Sequence, residues 1–256
     1  MILFDEIIFG PIMSRRLGIS LGINLLPENG KFCNFNCIYC ECGLSFNTSA
    51  NTLRLPSADQ VKIALSEKLK AMSDAEQKLD SITFAGNGEP SIHPEFTTII
   101  NDTIEARNKF YPEALVSVLS NATMLDKEDI LQALLKTDRS ILKLDSAIEN
   151  TFQKINRPRQ GLTIKHIIDN LKKFKGNFYL QTMFLKGFVE EEMIDNTTEK
   201  EITAWLEILQ IVRPKNVQIY SIHRTPPYAS LEIIPMAKLQ KIAEKVKNIG
   251  IEVQAV

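Results

Sequence analysis

All four cysteines of this 256-residue chain lie in one short stretch, Cys33-Asn-Phe-Asn-Cys37-Ile-Tyr-Cys40-Glu-Cys42-Gly43. A structural zinc site usually takes two ligand pairs separated by roughly a dozen residues or more, and here the second pair is missing. Three thiolates on one loop can instead hold three irons of a cubane cluster and leave the fourth iron open to a small molecule. The spacing favours an iron–sulfur cluster over zinc and over inert or regulatory thiols.

The same stretch resembles the signature of the radical S-adenosylmethionine (SAM) enzymes, because it has the spacing Cys-x3-Cys-x2-Cys with an aromatic residue before the third cysteine. The resemblance implies that Cys33, Cys37 and Cys40 hold a [4Fe-4S] cluster whose open iron is chelated by the amino and carboxylate groups of SAM. It also implies that Tyr39 lies near the adenine. Cys42 has no place in the pattern, and we interpret it as a bystander thiol.

A second motif follows the next predicted strand, where Ile82-Thr-Phe-Ala85 runs into Gly86-Asn87-Gly88-Glu89-Pro90. It resembles the Gly-Gly-Glu-Pro stretch with which the family binds the SAM amino group, although Asn87 replaces the commoner glycine. Glycines let the main chain approach a ligand closely, and a carboxylate suits an ammonium group. In isolation the pentapeptide reads as a tight turn. Its place one βα unit after the cysteines favours a SAM-binding role. The resemblance also implies that the ends of later strands contact SAM, which makes Ser120 and Asn121 candidates for ribose contacts.

The resemblance covers most of the chain. The stretch from Phe9 to Gly18, the following strand to Pro27, and Lys31-Phe-Cys33 are similar to the branch that contains the tRNA wyosine-type synthases. The family fold, a partial (β/α)6 barrel with parallel strands and helices outside, is the fold that the resemblance implies.

The hydrophobic pattern independently predicts an α/β fold. Strands are predicted at seven β-branched and aromatic runs, Ile19 to Leu26, Ile82 to Ala85, Val116 to Leu119, Ile141 to Leu144, Phe178 to Leu185, Val217 to Tyr220 and Ile251 to Val253. Helical spacing lies between them, at Val61 to Met72, Phe96 to Ile104, Ile130 to Leu134, Ile164 to Leu171, Ile202 to Leu209 and Leu239 to Val246. Such alternation favours a parallel sheet, either open or closed into a barrel. We find no linker and expect one domain over residues 1–256.

Polar residues lie at alternate positions of the predicted strands, which is the spacing of side chains on one face of a strand. If alternate residues point inward, five polar side chains face the lumen: Lys143, Asp145, Gln181, Gln218 and Tyr220. We take Lys143, Asp145, Gln181 and Tyr220 as the candidate catalytic set. A buried lysine is costly unless it is paired, so an ion pair between Lys143 and Asp145 stands beside a ligand role.

Two basic pairs lie close to the ends of predicted strands, Arg15-Arg16 and His223-Arg224. Arginine suits fork-like binding of a carboxylate or phosphate, and the alternative is a solvated or structural charge. The histidines show no metal-ligand spacing.

Composition limits the partners. Lys and Arg number 30 against 31 Asp and Glu, giving a net charge of −1, which disfavours a dedicated nucleic-acid binder. We expect no leader segment, because Met-Ile-Leu-Phe-Asp-Glu at the start has no basic stretch before an apolar one, and no apolar run approaches the roughly 20 residues that cross a bilayer. We expect a cytoplasmic protein in a reducing compartment, where cysteines serve as ligands or catalysts.

The function implied by the resemblance is radical chemistry. An external one-electron reductant of flavodoxin or ferredoxin type reduces the cluster, SAM is cleaved, and a 5'-deoxyadenosyl radical takes hydrogen from a substrate in the barrel mouth. The favoured substrate is a small molecule or a modified base. Three alternatives stay open: an activating enzyme that modifies a glycyl-radical partner protein, a tRNA base-modifying enzyme, and a non-enzymatic iron–sulfur or zinc module that does not bind SAM.

Overall fold

The computed structural model describes residues 2–45 and 54–256. Its strands are β1 (Ile8–Ser14), β2 (Gly18–Ile23), β3 (Ser81–Phe84), β4 (Leu115–Ser120), β5 (Arg139–Lys143), β6 (Tyr179–Val189), β7 (Glu192–Asp195), β8 (Asn216–Ser221), β9 (Leu231–Ile233) and β10 (Val253–Ala255). Its helices are α1 (Ala58–Asp74), α2 (Phe96–Phe110), α3 (Glu128–Leu135), α4 (Glu149–Asn156), α5 (Ile164–Lys172), α6 (Glu199–Val212) and α7 (Met236–Asn248).

The strands form one sheet in the order β1-β2-β3-β4-β5-β6-β8-β10. Pairing is parallel from β2 to β10, whereas β1 is antiparallel to β2, and β7 and β9 pair antiparallel with β6. All seven predicted strands are present and are the parallel ones, and all six predicted helices are present. The α/β class with a parallel sheet and helices around it is confirmed.

Burial explains why the parallel strands read as apolar runs. Every residue of β3 is buried, since helices cover a parallel sheet. The inner surface nevertheless carries hydroxyl groups. Ser20 and Thr83 lie 2.8 Å apart through their oxygens, and Ser81 and Ser117 lie 3.0 Å apart. These pairs satisfy polar groups inside the sheet, so the interior is not a purely apolar core.

Helix α1 begins as its sequence predicts. Ser57 Oγ accepts from the Gln60 amide, and the Gln60 side chain accepts from the Ser57 amide, which completes a capping box. The apolar stripe of α1, which includes Val61, Leu65 and Leu69, is buried.

Four elements were not predicted: β1, β7, β9 and α4. The run of β1 is broken by Gly10 and Pro11, and its pairing with β2 is irregular between Phe9 and Ile12. Phe9 stacks on Phe4 with ring centroids 3.8 Å apart and lies directly over Gly22, where a Cβ would overlap its ring. Strand β1, which we call the hairpin arm, therefore covers β2, the first parallel strand.

In the part of the chain that the structure describes, no helix has both the length and the apolar content needed to cross a bilayer.

The capping box of α1 gives a stability prediction. Replacing Ser57 with Ala removes the acceptor for the Gln60 amide and is expected to lower the free energy of unfolding by about 1 kcal/mol. Urea unfolding followed by circular dichroism measures the change. The control is Ser73→Ala, at an exposed site near the other end of α1, which we expect to be neutral. Equal effects of the two substitutions would contradict the capping role.

Candidate functional site

The cysteine loop is built from two consecutive turns. The Cys40 amide donates to the Cys37 carbonyl at 3.1 Å, and the Gly43 amide donates to the Cys40 carbonyl at 2.9 Å. Gly43 has a φ of +81°, a conformation that glycine adopts without strain. The turns bring the predicted ligands into a compact loop instead of an extended one.

Main-chain hydrogen bonds fasten this loop to the second motif. The Phe32 amide donates to the Asn87 carbonyl at 2.8 Å, the Glu89 amide donates to the Phe32 carbonyl at 3.2 Å, and Phe32 and Gly88 form a parallel bridge. Gly88 has a φ of +146°, and a Cβ there would overlap the Phe32 carbonyl oxygen. Glycine is therefore required for this contact. The two predicted motifs, 44 residues apart at Cys42 and Gly86, meet as one unit.

The other side of the loop rests on the end of α4. The Asn36 amide donates to the Asn156 carbonyl at 2.9 Å, and the Ile38 amide donates to the Ile155 carbonyl at 3.0 Å. Asn156 is buried, and its Nδ2 lies 3.4 Å from Cys37 Sγ. An amide N–H aimed at a sulfur stabilises a thiolate there. Sequence reasoning missed Asn156, because no spacing signal connects positions 119 residues apart.

The surroundings shift the pKa values of the cysteine thiols in different directions. Burial raises the pKa of Cys33 strongly and that of Cys37 to about 11. A hydrogen bond from the Cys42 thiol lowers the pKa of Cys40 to about 6, helped by Lys31. Lys31 is itself buried and donates to Asn36 Oδ1 and to the Gly43 carbonyl. A cation beside these thiols favours their anionic, ligating form.

This donor set fits an iron–sulfur cluster. Cys33, Cys37 and Cys40 supply soft thiolate ligands from one loop, and Lys31 and Asn156 face them with positive or N–H groups. A mononuclear zinc site needs several ligands that converge on one point, and no three His, Cys, Asp or Glu side chains do so among residues 2–45 and 54–256. In a cubane each thiolate binds a different iron, so a cluster does not need three thiolates that converge on one point.

Cys42 lies between the two motifs. Its Sγ is 3.4 Å from the Gly86 carbonyl oxygen, and it lines the same cavity as Gly86 and Gly88. Gly86 has a φ of +138°, and a Cβ there would overlap the Asn24 side chain. The main chain at Gly86 is thus held close to the cysteine loop, as the predicted contact with SAM requires.

Glu89 is fully engaged with the protein. Its carboxylate accepts from the Asn121 amide at 2.6 Å, from Ser120 Oγ at 2.8 Å, and from the Ser91 amide and hydroxyl. Burial raises the pKa of Glu89, and these hydrogen bonds oppose the rise. The structure therefore brings three predicted residues together, Glu89, Ser120 and Asn121. Their direct contact with SAM stays a prediction.

Asn87 points away from the cavity. Its side chain accepts from the Phe4 amide and donates to the Phe4 and Pro27 carbonyls, and its own amide donates to Asn24 Oδ1. The residue that departs from the commoner glycine thus ties the chain's first segment to the motif. Asn24, which sequence reasoning did not single out, completes the same network.

A second polar group lies in the lumen around Asp145, which is 2% exposed. Its Oδ2 accepts from Tyr39 Oη at 2.6 Å and from Asn156 Nδ2 at 2.7 Å, and lies 3.0 Å from Lys143 Nζ. Its Oδ1 accepts from the Met183 amide. The predicted ion pair is present. The hydroxyl of Tyr39, expected near an adenine, here hydrogen-bonds into the lumen.

The positions of the other lumen residues follow the predicted alternation. Tyr220 Oη donates to Gln181 Oε1 at 3.3 Å, and Gln181 Nε2 donates to Gln218 Oε1 at 3.3 Å. Burial tends to lower the pKa of Lys143, but Asp145 and the other negative groups nearby raise it overall. Burial raises the pKa of Tyr220. The lumen thus holds a charged ammonium and a neutral phenol at neutral pH.

Comparisons with known proteins identify the family and the fold. The family model of the radical SAM superfamily matches residues 30–199. Among curated proteins, a UPF0026 protein of Synechocystis is 30% identical over 86% of this chain and 77% of its own length. A protein named GTPase Obg from Brachyspira hyodysenteriae is 29% identical over 97% of this chain. A radical SAM methyltransferase from Sphaerobacter thermophilus has the same fold, with a TM-score of 0.67 at 13% identity, over 93% of this chain and 65% of that one.

The chain belongs to the radical SAM superfamily, whose enzymes bind a [4Fe-4S] cluster and SAM. Within that superfamily it belongs with the UPF0026 proteins. It spans 35% of the length of the Obg-named relative.

The main-chain pairing of Phe32 with Asn87 to Glu89, which we call the clamp, gives a prediction. Gly88→Ala places a Cβ against the Phe32 carbonyl and is expected to lower the free energy of unfolding by about 3 kcal/mol, with loss of iron binding on reconstitution. Gly161 is the control, because it also has a positive φ but has open space around it. Gly161→Ala should cost only about 1 kcal/mol and retain iron. Urea unfolding and iron analysis would show equal effects if the clamp were unimportant.

The lumen ion pair gives another. Asp145→Asn leaves the Lys143 ammonium buried without its carboxylate and is expected to lower the free energy of unfolding by about 3 kcal/mol. Adding Lys143→Met should recover part of that loss, so the double-mutant cycle would give a coupling of about 1 kcal/mol or more. Additive effects of the two substitutions would mean that the pair does not form in solution.

Proposed function

We propose that this chain is a radical SAM enzyme that acts on an organic substrate held inside the barrel. One observation carries the proposal: the three-cysteine loop is fastened by its main chain to the Gly86–Glu89 motif, and Cys42, Gly86 and Gly88 at their junction line one cavity of about 360 Å³. A bystander metal loop would not need a glycine cradle at this junction. Relatives from the same superfamily support the assignment.

The chain's own residues have distinct parts. Cys33, Cys37 and Cys40 would hold the cluster, and the main chain at Gly86 and Gly88 would contact SAM. When bound, the reduced cluster and SAM supply a 5'-deoxyadenosyl radical that removes a hydrogen atom from a substrate. Glu89 positions the end of β4 through Ser120 and Asn121. This network orders the site before SAM binds, so little free energy of binding is lost to reorganisation of the protein.

Lumen residues would orient the substrate. Lys143, Gln181 and Tyr220 lie on the neighbouring strands β5, β6 and β8, and Asp145 lies just after β5. Lys143 pairs with Asp145, and Tyr220 donates to Gln181, which restricts these side chains. Fixed polar groups in a closed cavity both select a pose and exclude water, which protects a reactive intermediate. An external one-electron donor of flavodoxin or ferredoxin type is part of the proposal.

The alternative substrates are a partner protein carrying a glycyl radical site and a tRNA base. A net charge of −1 provides no general basic surface for tRNA. We therefore place a small molecule or a modified base first, and the wyosine-type branch remains an expectation from the sequence motifs alone.

Anaerobic reconstitution tests the proposal. With iron, sulfide, SAM and dithionite, the protein is expected to bind about four irons, to show an electron paramagnetic resonance signal that SAM perturbs, and to release 5'-deoxyadenosine. Cys37→Ala should lose all three properties. Cys42→Ala is the matched control and should bind iron fully. Zinc in place of iron, a cluster indifferent to SAM, or 5'-deoxyadenosine from the Cys37→Ala variant would refute the assignment.

A further inference from the structure

Arg16 occupies the turn between β1 and β2, and its side chain lines the cavity that Cys42, Gly86 and Gly88 also line. Its guanidinium carbon lies 4.9 Å from the centre of the Tyr220 ring on β8. The guanidinium therefore sits beside the Tyr220 and Gln181 group that we place in the substrate lumen. Its neighbour Arg15 is exposed.

The Arg16 guanidinium is incompletely satisfied. Its Nη1 is buried and has no hydrogen-bond partner among the described residues. A buried N–H group without an acceptor costs roughly 1–3 kcal/mol, and more when the group is charged. The stacking on Tyr220 offsets only part of such a cost. An acceptor supplied from outside the protein would remove it.

The acids near the cavity are already committed. Arg224, the other arginine of the cavity wall, pairs with Glu41 at 2.6 Å. Asp145 receives hydrogen bonds from Tyr39, Asn156 and the Met183 amide and also pairs with Lys143. Gln181 and Gln218 are neutral. The positive charge of Arg16 is thus left without a carboxylate from the described chain.

We propose that Arg16 binds an acidic group of the substrate, a carboxylate or a phosphate, so that the substrate is a small organic anion. The proposal rests on the proposed function, because it takes the cavity as the substrate site. A guanidinium presents parallel N–H groups that match either group. Binding would satisfy Nη1 and place the rest of the molecule between Arg16 and the Gly86–Glu89 motif.

Thermal unfolding of the anaerobically reconstituted protein tests this inference. The probes are inorganic phosphate and acetate, with chloride at matched ionic strength as reference, each added with and without saturating SAM. At ten times the dissociation constant, a bound anion should raise the midpoint by roughly 3 °C. The variants are Arg16→Met and, as the matched control one residue away, Arg15→Met.

We expect phosphate or acetate to raise the midpoint of the wild type and of Arg15→Met, but not that of Arg16→Met, beyond the effect of chloride. The ligand-free Arg16→Met protein should melt at or above the wild-type midpoint, since an apolar side chain replaces an unsatisfied buried charge. Which probe acts distinguishes a carboxylate from a phosphate.

Three outcomes would overturn the inference. The first is an equal anion response in Arg16→Met, and the second is no anion response in the wild type. The third is a response that SAM abolishes, because Arg16 would then read the carboxylate of SAM itself. The midpoint does not depend on SAM cleavage. If the anion response is absent but 5'-deoxyadenosine is released normally, only the anion site is rejected. If the anion response is present but no 5'-deoxyadenosine is released, only the proposed function is rejected.

Discussion

The main-chain pairing between Phe32 and the Asn87–Glu89 segment is the contact on which the site depends. The contact requires that β3 ends at Phe84, so that the chain can turn toward the cysteine loop. It also requires glycine at position 88, because the Phe32 carbonyl occupies the space of a Cβ there. Backbone groups make the contact, and no side chain donates or accepts a hydrogen bond in it. The cysteines then take their places from the same two turns that close the loop, and α4 supports them from the other side.

Two buried carboxylates organise what the main chain has brought together. Glu89 ties the end of β3 to the end of β4, and Asp145 ties the cysteine loop, β5, α4 and β6. Each accepts several hydrogen bonds, which is the condition under which a buried acid is tolerated. The same Asn156 side chain donates to Asp145 and reaches Cys37, so the lumen and the cysteine loop share one rigid network.

Much of this arrangement was predictable from sequence, for identifiable reasons. The parallel strands are buried on both faces and therefore read as apolar runs, and the long helices have wide apolar stripes. Helix α4 was missed because only Phe152 and Ile155 in its eight residues carry an apolar signal. The spacing of the cysteines and the glycine motif indicated the residues that we propose as cofactor ligands. Asn24, Asn156 and the unsatisfied Nη1 of Arg16 depend on residues far apart in the chain, and no local pattern records such proximity.

The hairpin arm at the first edge of the sheet has a consequence for how the molecule behaves in a crowded cell. An exposed edge strand offers unpaired N–H and C=O groups to the strands of other chains, which invites aggregation. In β1, Pro11 lacks an N–H and the register irregularity between Phe9 and Ile12 bends the strand. At the opposite end of the order, β10 has only three residues. The two ends of the main strand order are thus poor templates for the addition of a foreign strand.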